Sequence, residues 1–199
     1  EAKRIRNVLE KTGIDLVSTK ANLIDRIWHD RPSPPAHPIV EHLLKFSGQS
    51  RTDKLKSLAK QLQDKKCVAT LLTDPHSVAW LLNIRGSDVD HTPLPLVRAI
   101  VDTKGTATVY VEKSRVDSDL QRSFGRGVKL ENPDRFTNHL IELAGSKSSV
   151  LIDAGQCPDI IRTIFDKNKG TLVEGQDLCV LPRARKNKIE QQGARTAQL

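Results

Sequence analysis

The stretch HDRPSPPAHP, residues 29–38, carries four prolines in ten positions. Proline fixes φ and removes the amide donor, so this density is incompatible with a helix interior or a central strand. It favours a stiff, extended tether. The segments on its two sides must therefore build their cores separately. At 199 residues the chain has room for one domain or two small ones, and the tether is the best boundary in it.

On the N-terminal side, residues 3–11 set Ile5, Val8 and Leu9 at helical spacing, with Gly13 as a stop. Residues 14–17 predict a short strand, and residues 22–28 an amphipathic helix with Asn22 as its N-cap. On the other side, residues 51–65 place Leu55, Leu58 and Leu62 on one face of a lysine-rich helix. CVATLLT (67–73) predicts a buried strand, and Asp74-Pro75 opens a helix through SVAWLLNI. Residues 95–102 and 106–112 flank Lys104-Gly105 and predict a hairpin. Further along, the pattern predicts helices over 116–124, 132–144 and 157–167, and strands over 128–130, 149–154 and 171–175. Residues 176–181 read as extended up to Pro182, and 186–199 as a last helix. This alternation points to an α/β fold with a mixed sheet, the hairpin supplying antiparallel neighbours.

Composition narrows the function classes. With 37% hydrophobic and 28% charged residues the chain can bury a core. No apolar run approaches a membrane span, and no apolar signal region comes after the N-terminal Glu-Ala-Lys-Arg. The formal net charge of +8 raises nucleic-acid binding. Only residues 183–188 (RARKNK) form a dense basic run, however, and the single Tyr offers no stacking platform. A solvated basic surface is the better reading. Cys67, Cys157 and Cys179 are odd in number, widely spaced, and each in or beside an apolar run. That fits buried thiols in a reducing compartment rather than a disulfide framework or a zinc cluster.

Residues 74–93, DPHSVAWLLNIRGSDVDHTP, are the most suggestive chemically. An apolar run ends at Asn83 and gives way to Arg85, Gly86, Ser87, Asp88, Asp90, His91 and Pro93. Asp88, Asp90 and His91, with His76, supply oxygen and imidazole donors, but their spacing fits no common metal motif. Carboxylates that cap backbone amides or pair with Arg85 and Arg98 are the expected arrangement. Arg85 suits an anion or a carboxylate, against the alternative of an ordinary structural arginine. The chain has no Gly-x-Ser-x-Gly elbow, no Gly-x-Gly-x-x-Gly turn and no Walker loop, so nucleophilic catalysis and a phosphate cradle lack support. Trp28 and Trp80, both in apolar surroundings, are expected in cores.

Three stretches, NLIDRIWHDRPSPP (22–35), AWLLNIRGSDVDHTP (79–93) and LPRARKNKIEQQGAR (181–195), each resemble the Xaa-Pro aminopeptidases in their long, three-domain form. Their order and spacing match that family too. The last stretch carries Lys186-Asn187, Glu190, Gly193 and Arg195 in the pattern that opens the family's catalytic domain; at Gln198 the family commonly has histidine.

The resemblance implies a creatinase/prolidase N-terminal-type domain, with a mixed β-sheet of about six strands flanked by helices. It implies residues 1–38 as the end of a preceding domain and the linker, 39–181 as the middle domain, and 182–199 as the first helix of the catalytic domain. It also implies a cytoplasmic parent enzyme that releases the residue preceding proline. That parent would use two divalent metal ions, usually manganese, on ligands that have no counterpart in these residues. The region itself is then expected to be inactive, without cofactor, bordering the cleft and aiding domain or homodimer contacts. Arg85, Asp88 and His91 are the candidates for a surface facing the substrate or the catalytic domain, on the strength of their expected exposed polarity. The alternative is a free-standing creatinase-like module that binds a peptide, a histone or nucleic acid.

Overall fold

The computed structural model describes residues 2–19 and 21–198. They fall into two compact units, Glu1–Pro35 and Ala36–Leu199.

In the first unit, α1 (Ala2–Leu9) runs into a 3-10 turn over Glu10–Thr12. Gly13 ends the turn at φ +71°, a left-handed value that glycine adopts without Cβ strain. The strand expected over residues 14–17 does not form. These residues are exposed, and no neighbouring strand pairs with them among the described residues. The helix expected over 22–28 shrinks to one 3-10 turn, Ile24–Arg26. Its N-cap is Leu23 rather than the expected Asn22, whose Oδ1 nonetheless accepts the Ile24 amide at 3.0 Å from one residue further back. Trp28 is exposed rather than in a core, with the Arg31 guanidinium 5.6 Å from its ring centre. Residues 31–38 take no regular structure, as their prolines require.

The second unit continues with β1 (Val40–Glu41), α2 (Leu44–Ser47), α3 (Arg51–Asp64), β2 (Ala69–Leu72), α4 (Pro75–Leu82) and β3 (Ile84–Arg85). Next come β4 (Arg98–Asp102), β5 (Ala107–Tyr110), α5 (Ser118–Phe124), β6 (Val128–Glu131) and α6 (Arg135–Gly145). The series closes with β7 (Ser149–Ile152), α7 (Asp159–Lys167), β8 (Thr171–Glu174), α8 (Val180–Ala184) and α9 (Lys188–Thr196). Helix starts obey local chemistry. Ser50 accepts the Asp53 amide before α3, and Asp74 accepts the His76 amide with Pro75 at the first helical position of α4. Residues 176–181 are not simply extended, because α8 begins at Val180 and includes Pro182. Proline is tolerated there because first-turn amides have no intrahelical acceptor.

Six strands form one sheet in the order β6-β5-β4-β2-β7-β8, and β1 and β3 form a separate two-stranded ribbon. β2 pairs antiparallel with β4 and parallel with β7, β4 pairs antiparallel with β5, and the β5–β6 and β7–β8 pairs are parallel. β4 is therefore the one strand of this sheet running against the other five. Strand residues alternate between two apolar layers, as the two-residue period requires. Ala99, Val101, Val109 and Leu151 face Leu55, Leu58, Leu62, Val78 and Leu82 from α3 and α4. Ala69, Leu71, Ile100, Val150 and Ile152 face Phe136, Leu140, Ile161 and Phe165 from α6 and α7. Helices thus cover both faces, and no described helix is long and apolar enough to cross a membrane.

Candidate functional site

The segment after α4 is shaped by two backbone constraints. Asn83 ends the helix in the left-handed region at φ 52°, a conformation asparagine tolerates better than most residues. A Cβ on Gly86 would lie 2.8 Å from the Pro95 nitrogen and 2.9 Å from its Cα, so only glycine lets the two limbs of the loop approach this closely. The loop then folds back on itself through the Val89–Thr92 bridge, with His91 at its exposed tip at φ 57°.

The three residues expected to share a surface are placed apart in role. Asp88 is buried, against the expectation of exposure. Its side chain is 0% accessible, and its Oδ2 accepts the Leu96 amide at 2.7 Å and the Arg115 guanidinium at 2.5 Å. Its Oδ1 accepts the His37 amide at 3.3 Å and lies 3.4 Å from His37 Nδ1. Burial alone would raise the Asp88 pKa; the Leu96 amide, Arg115 and the His37 amide outweigh it and hold the carboxyl below its ordinary value. Asp88 is thus a capping and ion-paired carboxylate, with Arg115 as its partner rather than Arg85 or Arg98. His91 is solvent-exposed at the turn. No hydrogen bond or ion pair joins Arg85, Asp88 and His91 to one another.

Arg85 belongs to a different cluster. Val40 and Arg85 are register partners in the β1–β3 ribbon, and the His42 amide extends that ladder by donating to Asn83 O at 2.7 Å. Val40 and His42 alternate onto one side of the ribbon, the side on which Arg85 also stands. Arg85 is half-buried, and its Nη1 donates to the carbonyl of Ile84 at 2.8 Å. Behind it lies Lys54, on the buried face of α3. The Lys54 Nζ donates to Trp80 O at 2.8 Å and Asn83 Oδ1 at 2.7 Å, and sits 4.2 Å from the Trp80 ring centre. Facing these cations is Glu190 of α9. Its Oε2 accepts the Asn187 amide at 2.9 Å, while Asn187 Oδ1 accepts the Ile189 and Glu190 amides, making a closed capping box.

Asn187 also ties α9 to the rest of the unit, its Nδ2 donating to Ser47 O at 2.8 Å. Asn83 Nδ2 does the same to Gln49 O at 2.8 Å. The Lys54–Asn83 and Asn187–Ser47 links therefore converge on the turn between α2 and α3. The electrostatic consequences are one-sided. Burial lowers the Lys54 pKa to about 8, with Glu190 opposing. Burial, then Arg85 and Lys54, lower the His42 pKa, again against Glu190. Burial lowers Arg85 too, opposed by Glu190. The niche holds more positive than negative charge.

Sequence reasoning missed Lys54, His42, Arg115, Asn187 and Glu190 as members of these clusters. Lys54 is four residues before Leu58 and one before Leu55, inside the leucine stripe, where a lysine reads as a surface residue. The Asn-x-x-Glu spacing at Asn187 and Glu190 is a readable cap. Arg115 carried no local signal. Among the described residues no group of three or more His, Cys, Asp and Glu side chains converges as a metal site. Cys67, Cys157 and Cys179 are free; the first and last are buried, while Cys157 is half-buried with its pKa pushed up to about 11 by burial.

Similarity to known proteins extends over the whole architecture. A profile of the Creatinase/Prolidase N-terminal domain matches residues 30–190. A probable Xaa-Pro aminopeptidase P of Leptosphaeria maculans is 32% identical over 130 residues, which cover 65% of this chain and 21% of the relative. A probable Xaa-Pro aminopeptidase P of Aspergillus clavatus is 31% identical over 156 residues, covering 78% of this chain and 23% of the relative. The chain thus spans about a fifth of the length of these curated relatives. The crystal structure of an X-prolyl aminopeptidase from Caenorhabditis elegans, described as a cytosolic enzyme with a di-nuclear active site, superposes with a TM-score of 0.86 at 25% identity. That match covers 98% of this chain and 32% of the other. The prolidase of Pyrococcus horikoshii shares the fold at a TM-score of 0.50 and 16% identity, over 70% of this chain and 37% of that one.

Proposed function

The chain belongs to the creatinase/prolidase N-terminal domain family, and from that premise we propose that it is a non-catalytic region of a metal-dependent Xaa-Pro aminopeptidase. The parent enzyme releases the N-terminal residue that precedes proline. Residues 1–38 end a preceding domain and form the linker, 39–181 make the middle domain, and 182–199 begin the catalytic domain. The region's work is architectural: it borders the active-site cleft, limits what enters, and supports domain or homodimer contacts. The observation that carries this reading is the superposition on the C. elegans aminopeptidase across 98% of this chain. The capped, docked start of α9 supports it as well, because a free-standing binding module has no need of such an outgoing helix.

The neighbour's two metals find no counterpart donor set among the described residues here. In the cytoplasmic parent two divalent ions, manganese by family habit, would sit on residues of the catalytic domain, and no chemical step is assigned to this region. The test is an assay of the purified 199-residue chain with manganese and an Xaa-Pro peptide. The expected result is no release of the first residue; metal-dependent release would overturn the reading.

A further inference from the structure

We propose that Arg85, with His42 beside it and Lys54 behind, forms a carboxylate-binding niche that the described residues leave short of one negative charge. The guanidinium has five N–H donors in a planar fork suited to two carboxylate oxygens. One nitrogen is committed to the Ile84 carbonyl, and no described carboxylate lies within ion-pair reach of the group. The one acid among the described residues that faces it is Glu190, whose Oε2 is held by the Asn187 amide in the capping box. Lys54 is held by Trp80 O and Asn83 Oδ1, so it contributes a fixed positive charge rather than a moving ligand. Lys186 adds a further cation to the Lys54 environment. His42 is half-buried beside Phe46, with ring centres 6.0 Å apart, and is held toward its neutral form, ready to donate or accept a hydrogen bond. A carboxylate seated on Arg85 would satisfy the open fork and relieve the repulsion between Arg85 and Lys54.

Two sources supply such a group: the C-terminal carboxylate of a peptide, and a side-chain carboxylate of the longer polypeptide. The peptide source rests on the aminopeptidase reading; the binding of a carboxylate does not. The first experiment uses the 199-residue chain and tracks the His42 ring by NMR through a pH titration, with an acetylated dipeptide as the free acid and as the amide. The free acid is expected to raise the His42 midpoint and the amide to leave it unmoved. Arg85→Lys, which keeps the charge but loses the fork, is expected to weaken the effect several-fold, and Arg85→Met to abolish it. Glu190→Gln keeps an acceptor for the cap and removes the opposing charge, so it is expected to tighten binding several-fold. An identical response to acid and amide, no response to either, or full binding by Arg85→Lys overturns the proposal. In the longer enzyme, a KM rise in Arg85→Lys confined to free-acid peptides identifies the peptide terminus as the occupant. Equal KM for acid and amide, with a lowered melting temperature, identifies a side chain of the same polypeptide.

Discussion

Asp88 and Arg115 form a buried ion pair, Nη2 to Oδ2 at 2.5 Å, that closes around the main chain of His37. The carboxylate takes the His37 amide and Arg115 Nε donates to the His37 carbonyl at 2.9 Å. Ile39 then donates to Arg115 O at 2.7 Å and bridges Val116. Residues 37–39, where the second unit begins, are thereby fixed from both sides.

Removing one partner leaves the other buried and charged. Asp88→Ala and Arg115→Met are each expected to cost about 3 kcal/mol or more in urea unfolding. The native Asp88 carboxyl titrates below its unfolded value, so its contribution is full above the ordinary carboxylate range and is lost as pH falls through the native pKa. Acid titration of Asp88→Asn should show a shallower fall in stability than the parent.

Lys54 acts in the alkaline range instead. Its native pKa of about 8 lies below the ordinary 10.5, so between those values the unfolded chain binds more protons. Stability from this site therefore rises with pH across that window. Urea midpoints measured from pH 7 to 10 should show the rise in the parent and a flatter profile in Lys54→Met.

The α2–α9 junction is a lock of one glycine and one asparagine. A Cβ on Gly48 would lie within 3 Å of three Asn187 side-chain atoms, and Gly48 holds φ +69°. Gly48→Ala is expected to expel Asn187 and release the cap, costing about 1–2 kcal/mol. Asn187→Ala should cost about 1 kcal/mol. The double variant should fall short of the sum, because both act through one contact. Amide exchange at Ile189 and Glu190 is the local readout.

Gly193 offers a gain. It lies in exposed α9, and a methyl group added at its Cα would meet nothing within 4 Å. Gly193→Ala should therefore stabilise the helix by about 0.5–1 kcal/mol. Gly86→Ala is the contrast, since Pro95 backbone atoms occupy the space. Thermal melts of the two should move in opposite directions.

The sequence exposed what depends on near neighbours. The leucine stripe of α3, the Asp74-Pro75 start and the Lys104-Gly105 hairpin all rest on spacing of a few residues, and each appears where expected. Residues 14–17 show the limit: an apolar run reads as a strand, yet a strand needs a partner that local pattern cannot supply. Asp88 shows the same limit at the site. Its burial is decided by Arg115, twenty-seven positions away, and no motif links the two. Lys54 was hidden for another reason, since a lysine among leucines on a helix reads as surface until its acceptors, Trp80 O and Asn83, are brought to it.

Strand order also has a consequence in time. β2 sits between β4, which comes soon after it in the chain, and β7, whose residues 149–152 come some eighty positions later. On a ribosome, β2, β4, β5 and β6 can zip together while one side of β2 still has bare amides and carbonyls. That open flank persists until residue 152 has emerged, and the layer beneath it waits for Ile161 and Phe165. The nascent chain is most vulnerable to wrong pairing in that interval, and translation pauses before the codon for Val150 would lengthen it.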